Sequence, residues 1–261
     1  MRLWLITLCA ILVAGFHNAS AQQGFTFVKN DGQWPEQVVA RAELGGGQLW
    51  VEKQALRWHF IDLAPVAQVH GSSLNPNDFL NETRLSGHVY EVAFQNSQVP
   101  EVQYNLPSDT RFNFFIGSDQ RYWRGNVAGY EEITLKNLYP NIDLKLYTLD
   151  MVLKYDLILH AGARSADVAL VYRGMEALRL EDERLIVQTS VNAVVEQAPV
   201  AWQIKNDRNI PIGCHYQLKG NTLTFGFKEQ PNPKWTTVID PALIFSTYSG
   251  STADNFGYTA T

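Results

Sequence analysis

Cysteine is nearly absent. Two occur in 261 residues, and one of them, Cys9, falls in the first apolar run. The other, Cys214, has no partner for an internal disulfide, so the fold rests on its core rather than on covalent staples. Positive charge is also scarce: Lys plus Arg number 21 against 26 Asp plus Glu, a formal net charge of −5. Removing residues 1–21 takes away Arg2 and no acid, which makes the balance one unit more negative. Such a balance argues against non-specific binding to nucleic acid or anionic membranes, which needs clustered cations. No apolar run after the N-terminus approaches the ~20 residues a transmembrane helix needs. Helical periodicity is missing as well.

Catalytic patterns are equally sparse. There is no Gly-x-Ser-x-Gly elbow for a serine hydrolase. The histidines beyond the leader, His59, His70, His88, His160 and His215, occur singly, without the clustering a zinc site requires. The glycines at 45–47 precede Leu49-Trp-Val51 and lack the Lys-Ser/Thr and helix start of a phosphate loop. A glycosidase needs two carboxylates facing a cleft, and Glu131, Glu132, Asp143 and Asp156 are the available ones. Beside Lys145 and Lys154 these read as cross-strand ion pairs. No catalytic residue and no cofactor are assigned. Asp254 and Asn255 are the sole hint of a cation-binding turn, with too few oxygen ligands for more.

What is present begins with an N-terminal leader. Arg2 is followed by an apolar stretch from Leu3 to Phe16 and then Ala19-Ser-Ala21. Charge, short apolar run and small-x-small site in that order predict a secretory signal peptide over residues 1–21. Cys9 lies inside the run rather than after it, which argues against a lipid anchor.

The rest alternates with period two. Leu56, Trp58 and Phe60 interleave with Arg57 and His59; Ile142, Leu144 and Leu146 with Asp143 and Lys145; Tyr155, Leu157 and Leu159 with Asp156; Leu223, Phe225 and Phe227 with Thr224. That is the signature of strands with one buried and one solvated face. Turn formers such as Asn30-Asp-Gly32 and Lys219-Gly-Asn221 separate the runs. The expected fold is all-β, with antiparallel, sandwich-like sheets in two packed systems. The expected division is an N-terminal half over 22–140, with a long flexible loop at 64–84, and a C-terminal half over 141–241. Cys214 shares strand parity with Ile212, Tyr216 and Leu218 and reads as a small buried hydrophobe.

One aromatic segment stands out. Asp119-Gln-Arg-Tyr-Trp-Arg-Gly125 is polar and loop-like, yet holds Tyr122 and Trp123 between Arg121 and Arg124. Aromatics flanked by arginine suit an interface hot spot, so Trp123, Arg121, Arg124 and Tyr122 are the candidate binding residues.

Several motifs occur in order: Phe27-Val-Lys-Asn-Asp-Gly-Gln-Trp34, Gly87-His-Val-Tyr-Glu-Val-Ala-Phe94, Asn113-Phe-Phe-Ile-Gly117, Asn137-Leu-Tyr-Pro-Asn-Ile-Asp-Leu144, Val195-Glu-Gln-Ala-Pro199 and Val238-Ile-Asp-Pro241. Together they resemble an N-terminal all-β domain of unknown function that precedes SBBP-type β-propeller repeats in exported proteins of Bacteroidetes-like bacteria. Phe245-Ser-Thr-Tyr-Ser-Gly250 resembles the start of such a repeat, so 242–261 is expected to be its truncated beginning, with downstream repeats attached. His160-Ala-Gly-Ala163 and Ser249-Gly-Ser-Thr-Ala-Asp-Asn255 depart from the family pattern. The resemblance implies an exported module at the outer surface of a Gram-negative bacterium, associated with type IX secretion or gliding motility. Its expected role is non-catalytic adhesion or docking to a protein or glycan. The alternatives are a carbohydrate-binding module, or part of a hydrolase completed by further sequence.

Overall fold

The computed structural model describes residues 25–44, 46–62, 65, 85–149 and 152–241, and the backbone alone of 243–246. The leader at 1–21, Asp254 and Asn255 lie outside the described residues. So do the 64–84 loop apart from Pro65, and the repeat start at 242–261 apart from that short backbone segment.

The described chain is strand and turn, with two single 3-10 turns at Gln120–Tyr122 and Ser165–Asp167. The first strands are β1 (Phe27–Lys29), β2 (Val38–Leu44), β3 (Gly47–Glu52), β4 (Ala55–Ile61), β5 (Gly87–Phe94) and β6 (Glu101–Phe114). Then come β7 (Arg124–Tyr139), β8 (Ile142–Leu149), β9 (Val152–Leu159), β10 (Leu170–Arg173), β11 (Ala177–Glu181), β12 (Arg184–Gln188) and β13 (Ala193–Glu196). The last are β14 (Val200–Lys205), β15 (Arg208–Ile212), β16 (Cys214–Lys219), β17 (Thr222–Phe227), β18 (Thr236–Asp240) and β19 (Leu243–Ser246).

Two antiparallel sheets result. The large one has 15 strands, in the order β15-β14-β18-β9-β8-β7-β1-β2-β3-β4-β5-β10-β17-β16, with β6 added on β7. Its ends, β15 and β16, do not pair with each other, so it is not a closed barrel. The small sheet is β11-β12-β13-β19. The two expected sheet systems are therefore present but very unequal, because the large sheet runs without a break from strands before Pro140 to strands after it.

Local chemistry explains the turns. Asn30 holds the β1–β2 connection: its Oδ1 accepts from the N–H of Gly32 at 3.0 Å and its Nδ2 donates to the carbonyl of Val38 at 2.8 Å. Gly32 sits at φ +103°, where a side chain is strained. The β11–β12 and β14–β15 hairpins turn on Asp182-Glu183 and Asn206-Asp207, all four residues at positive φ. Paired positive φ is the twist-matched two-residue hairpin turn.

Alternation then directs the apolar face inward. The large sheet curls until Leu56 and Trp58 of β4 and Val92 and Phe94 of β5 face Leu144 of β8 and Leu157 of β9. Leu185, Val187 and Val194 of the small sheet join the same cluster. Each such fully buried side chain contributes roughly 1.5–3 kcal/mol. Tyr90, stacked between Trp58 and Tyr172, continues the aromatic layer.

Candidate functional site

β6 and β7 form a long ribbon whose tip is the expected binding segment. A single turn of 3-10 helix, Gln120–Tyr122, is capped by Asp119, which accepts from the N–H of Arg121 at 3.0 Å. The Arg121 guanidinium closes on the same carboxylate at 2.7 Å. That hydrogen bond holds the Asp119 carboxyl below the usual carboxylate range. Arg121 is exposed, but its charge is compensated. Trp123 is half-buried: its indole N–H donates to the carbonyl of Gly117 at 3.1 Å, and its ring meets Phe115 edge-on at 5.8 Å. Arg124 turns inward. It donates to the carbonyls of Asp31, Arg121 and Trp123 at 2.6 to 2.7 Å, pinning the tip to the β1–β2 turn.

Tyr122 points out at 54 % exposure, and two residues that sequence reading did not single out join it: Phe115 at 62 % and Ile116 at 73 %. Their signal was available in Phe114-Phe-Ile116, three consecutive apolar residues that break the alternation just before Gly117. Of the four expected residues, Tyr122 faces solvent, Trp123 packs against Phe115, Arg121 spends its donors on Asp119, and Arg124 divides its own between the loop and the Asp31 carbonyl. Just behind the tip, where Phe114 pairs with Arg124, the Arg41 guanidinium lies 4.9 Å from the Trp34 ring, 5.2 Å from Trp50 and 5.7 Å from Phe114. These aromatics anchor the hairpin to the sheet.

The outer face of β7, β8, β9 and β18 is a layer of charge. Lys145 lies 3.3 Å from Glu132 and 3.9 Å from Asp156; Lys154 lies 2.7 Å from Asp240. Asp143, almost wholly buried, sits where β7 bulges between Leu135 and Tyr139. The bulge removes the Asn137 N–H from the ladder, and Asp143 accepts it at 2.8 Å. Lys136 and His160 share the other oxygen, His160 at 2.7 Å. Burial pushes the Asp143 carboxyl up, but the hydrogen bonds from His160, Lys136 and Asn137 outweigh it and hold the group below its ordinary range. His160 also lines a cleft of about 350 Å³ with Arg164, Gln230, Asn232 and Trp235.

A further carboxylate occupies the interior. Glu196 follows Val194 on the inward parity of β13 and is 3 % exposed. Tyr155 donates to it at 2.9 Å and Tyr172 at 2.8 Å, while Tyr216 stands at 3.5 Å and donates to the Gln197 carbonyl at 3.0 Å. Burial raises its pKa, against the three hydroxyls, which lower it. Sequence reading noted Glu196 only as part of a motif. Cys214 is partly buried against the core, and desolvation lifts its thiol to about 11. Among the described residues, no cluster of His, Cys, Asp and Glu has the makings of a metal site. No helix among them is long and apolar enough to cross a membrane.

This architecture defines a class: an all-β antiparallel domain built as one large curled sheet closed over by a small one. Residues 27–242 match the model of a domain of unknown function, DUF7948, and the chain belongs to that family. No curated protein and no solved structure matches it significantly.

Proposed function

We propose that the chain is an exported, non-catalytic docking module of a cell-surface protein, working through the tip of the β6–β7 ribbon. The carrying observation is that three large apolar side chains, Phe115, Ile116 and Tyr122, are exposed on one loop that is internally hydrogen-bonded. Exposing large apolar groups on a rigid support costs solubility and is characteristic of interaction sites. The leader at 1–21 supports export through the inner membrane of a Gram-negative, Bacteroidetes-type cell. The likeness of 242–261 to an SBBP repeat supports a place in front of propeller repeats, in the setting of type IX secretion or gliding. The carboxylates Glu132, Asp143 and Asp156 are engaged by lysines, histidine or backbone, which supports a structural role for them.

The test is binding of the purified protein to cell envelopes of the producing bacterium. Wild type should be retained, and a Phe115→Ser/Ile116→Ser/Tyr122→Ser variant with unchanged melting should be lost. Equal retention would remove the reading. A glycan partner is the second reading, favoured by Trp235 in the cleft with Arg164, Gln230 and Asn232. Glycan-array binding that is abolished by Trp235→Ala and indifferent to the tip variant would select it.

A further inference from the structure

Lys154 on β9 and Asp240 on β18 meet on the outer sheet face, Nζ to Oδ2 at 2.7 Å, with 16 % of each side chain exposed. The strands are paired through Ile239 and Leu157, and continuing that register by one residue sets Asp240 opposite Asp156. Asp240 Oδ1 is buried and has no hydrogen-bond partner. An orphaned oxygen of this kind calls for an explanation. Asp156, 7 % exposed, accepts from the Tyr147 hydroxyl at 3.2 Å. Burial first, and the charge of Asp240 second, lift its carboxyl to about 6, against the pull of Lys145 and Lys154. The site thus brings together an amine, a carboxyl in contact with it, and a second carboxyl that holds a proton in mild acid.

We propose that Lys154 and Asp240 condense into an intramolecular amide bond, with Asp156 relaying the protons. A proton passes from the Lys154 ammonium to the Asp240 carboxylate along their hydrogen bond, leaving a neutral pair. The Nζ lone pair attacks Asp240 Cγ. Asp156 gives its proton to the departing oxygen and takes one from the nitrogen. One N–C bond forms, one C–O bond breaks and one water leaves. Asp156 ends protonated as it began, and no oxidant or reductant is needed.

The fold supplies what the same reaction lacks in free solution. Neighbouring strands hold the reactants in contact, which replaces a collision by a fixed approach. The amide is neutral, so the product ends the burial of two charges. The other outer-face pairs differ. Asp143 already has every near donor in place, and Lys145 lies between two carboxylates, in closest approach to neither better than 3.3 Å. The bond would staple β9 to β18 without any cysteine. It is independent of the tip docking site.

The experiment is mass spectrometry of the purified full chain after incubation from about pH 5 to about pH 8, spanning the Asp156 range. The expected wild-type result is a mass lower by one water, about 18 Da, with the Lys154 and Asp240 peptides recovered as one linked pair. Lys154→Arg, which keeps the ion pair, should show its full sequence mass. Asp156→Asn, which keeps an acceptor for Tyr147, should leave the two peptides separate while its circular dichroism matches wild type. A wild-type chain of full mass throughout overturns the proposal, as does a water loss mapped elsewhere. Linkage at an undiminished rate in Asp156→Asn overturns the relay.

Discussion

Tyr172 donates its hydroxyl proton to Glu196 across 2.8 Å in a layer closed to solvent. The contact joins the large sheet to the small one, since Tyr172 lies on β10 and Glu196 on β13. Tyr155 brings a second strand of the large sheet to the same carboxyl. Removing Glu196 strands phenols in the core, and Glu196→Ala is expected to cost about 3–5 kcal/mol, the usual scale for breaking a buried network. Glu196→Gln keeps the shape and should cost less. The pH dependence carries the sharper signature. The folded carboxyl has a raised pKa, so its contribution is complete below the unfolded value of ~4.3 and is lost as pH rises through the folded one. Urea unfolding at a series of pH values should show wild type losing stability relative to Glu196→Gln as pH increases. A constant difference would mean that Glu196 does not titrate in the core.

Asp143 works in the opposite sense. Its carboxyl is held low by His160, Lys136 and the Asn137 N–H, so its contribution is present above the unfolded value of ~3.9 and fades as pH falls through the folded one. Asp143→Asn should destabilise by about 1.5–3 kcal/mol near neutrality, the scale for hydrogen bonds to a charged group. The difference from wild type should close in strong acid. The same urea series reads it, and a difference that widens in acid would contradict the assignment.

Much of this was legible in the chain. Leu56, Trp58 and Phe60, or Leu144 and Leu146, alternate with polar neighbours, and those very residues line the core. Local alternation states which face is inward but not which strands meet. The pairing of β5 with β10, or of β9 with β18, joins segments far apart in sequence and has no local signature. The same limit hid the interior site. Glu196 stands at core parity, but the three tyrosines that make it tolerable come from β9, β10 and β16. It also hid the Asp143–His160 contact, because two isolated residues become a pair only once the β7 bulge and the turn after β9 are in place. At the tip, Arg121 and Arg124 are candidate binding residues in sequence, which does not reveal the carbonyls and the carboxylate they satisfy.

Arg124 offers a separable test of the tip. Its guanidinium ties the loop to the Asp31 carbonyl, and a Cβ on Gly32 would fall 2.5 Å from its Nη2, so the approach is close. Arg124→Ala should raise amide hydrogen exchange across 117–123 while shifting global stability by less than about 1 kcal/mol, since little of the core depends on the loop. Unchanged exchange would show that the loop holds its shape without this clamp, and the rigid-support argument for the exposed Phe115 and Ile116 would fail.

Cys214 supplies the last prediction. Desolvation moves its thiol from 9.0 to about 11, and the thiolate is the reactive form. Two units mean a roughly 100-fold smaller thiolate fraction at a given pH below both values. Alkylation by iodoacetamide near pH 8 should therefore be about two orders of magnitude slower in the native protein than in the same protein in denaturant. Limited access beside the core slows it further. Fast native labelling would place the thiol in water, which is incompatible with its packing against the residues of β16 and β17. The comparison also bears on the chemistry of this thiol, because a nucleophilic cysteine needs its pKa lowered, and this site moves it the other way.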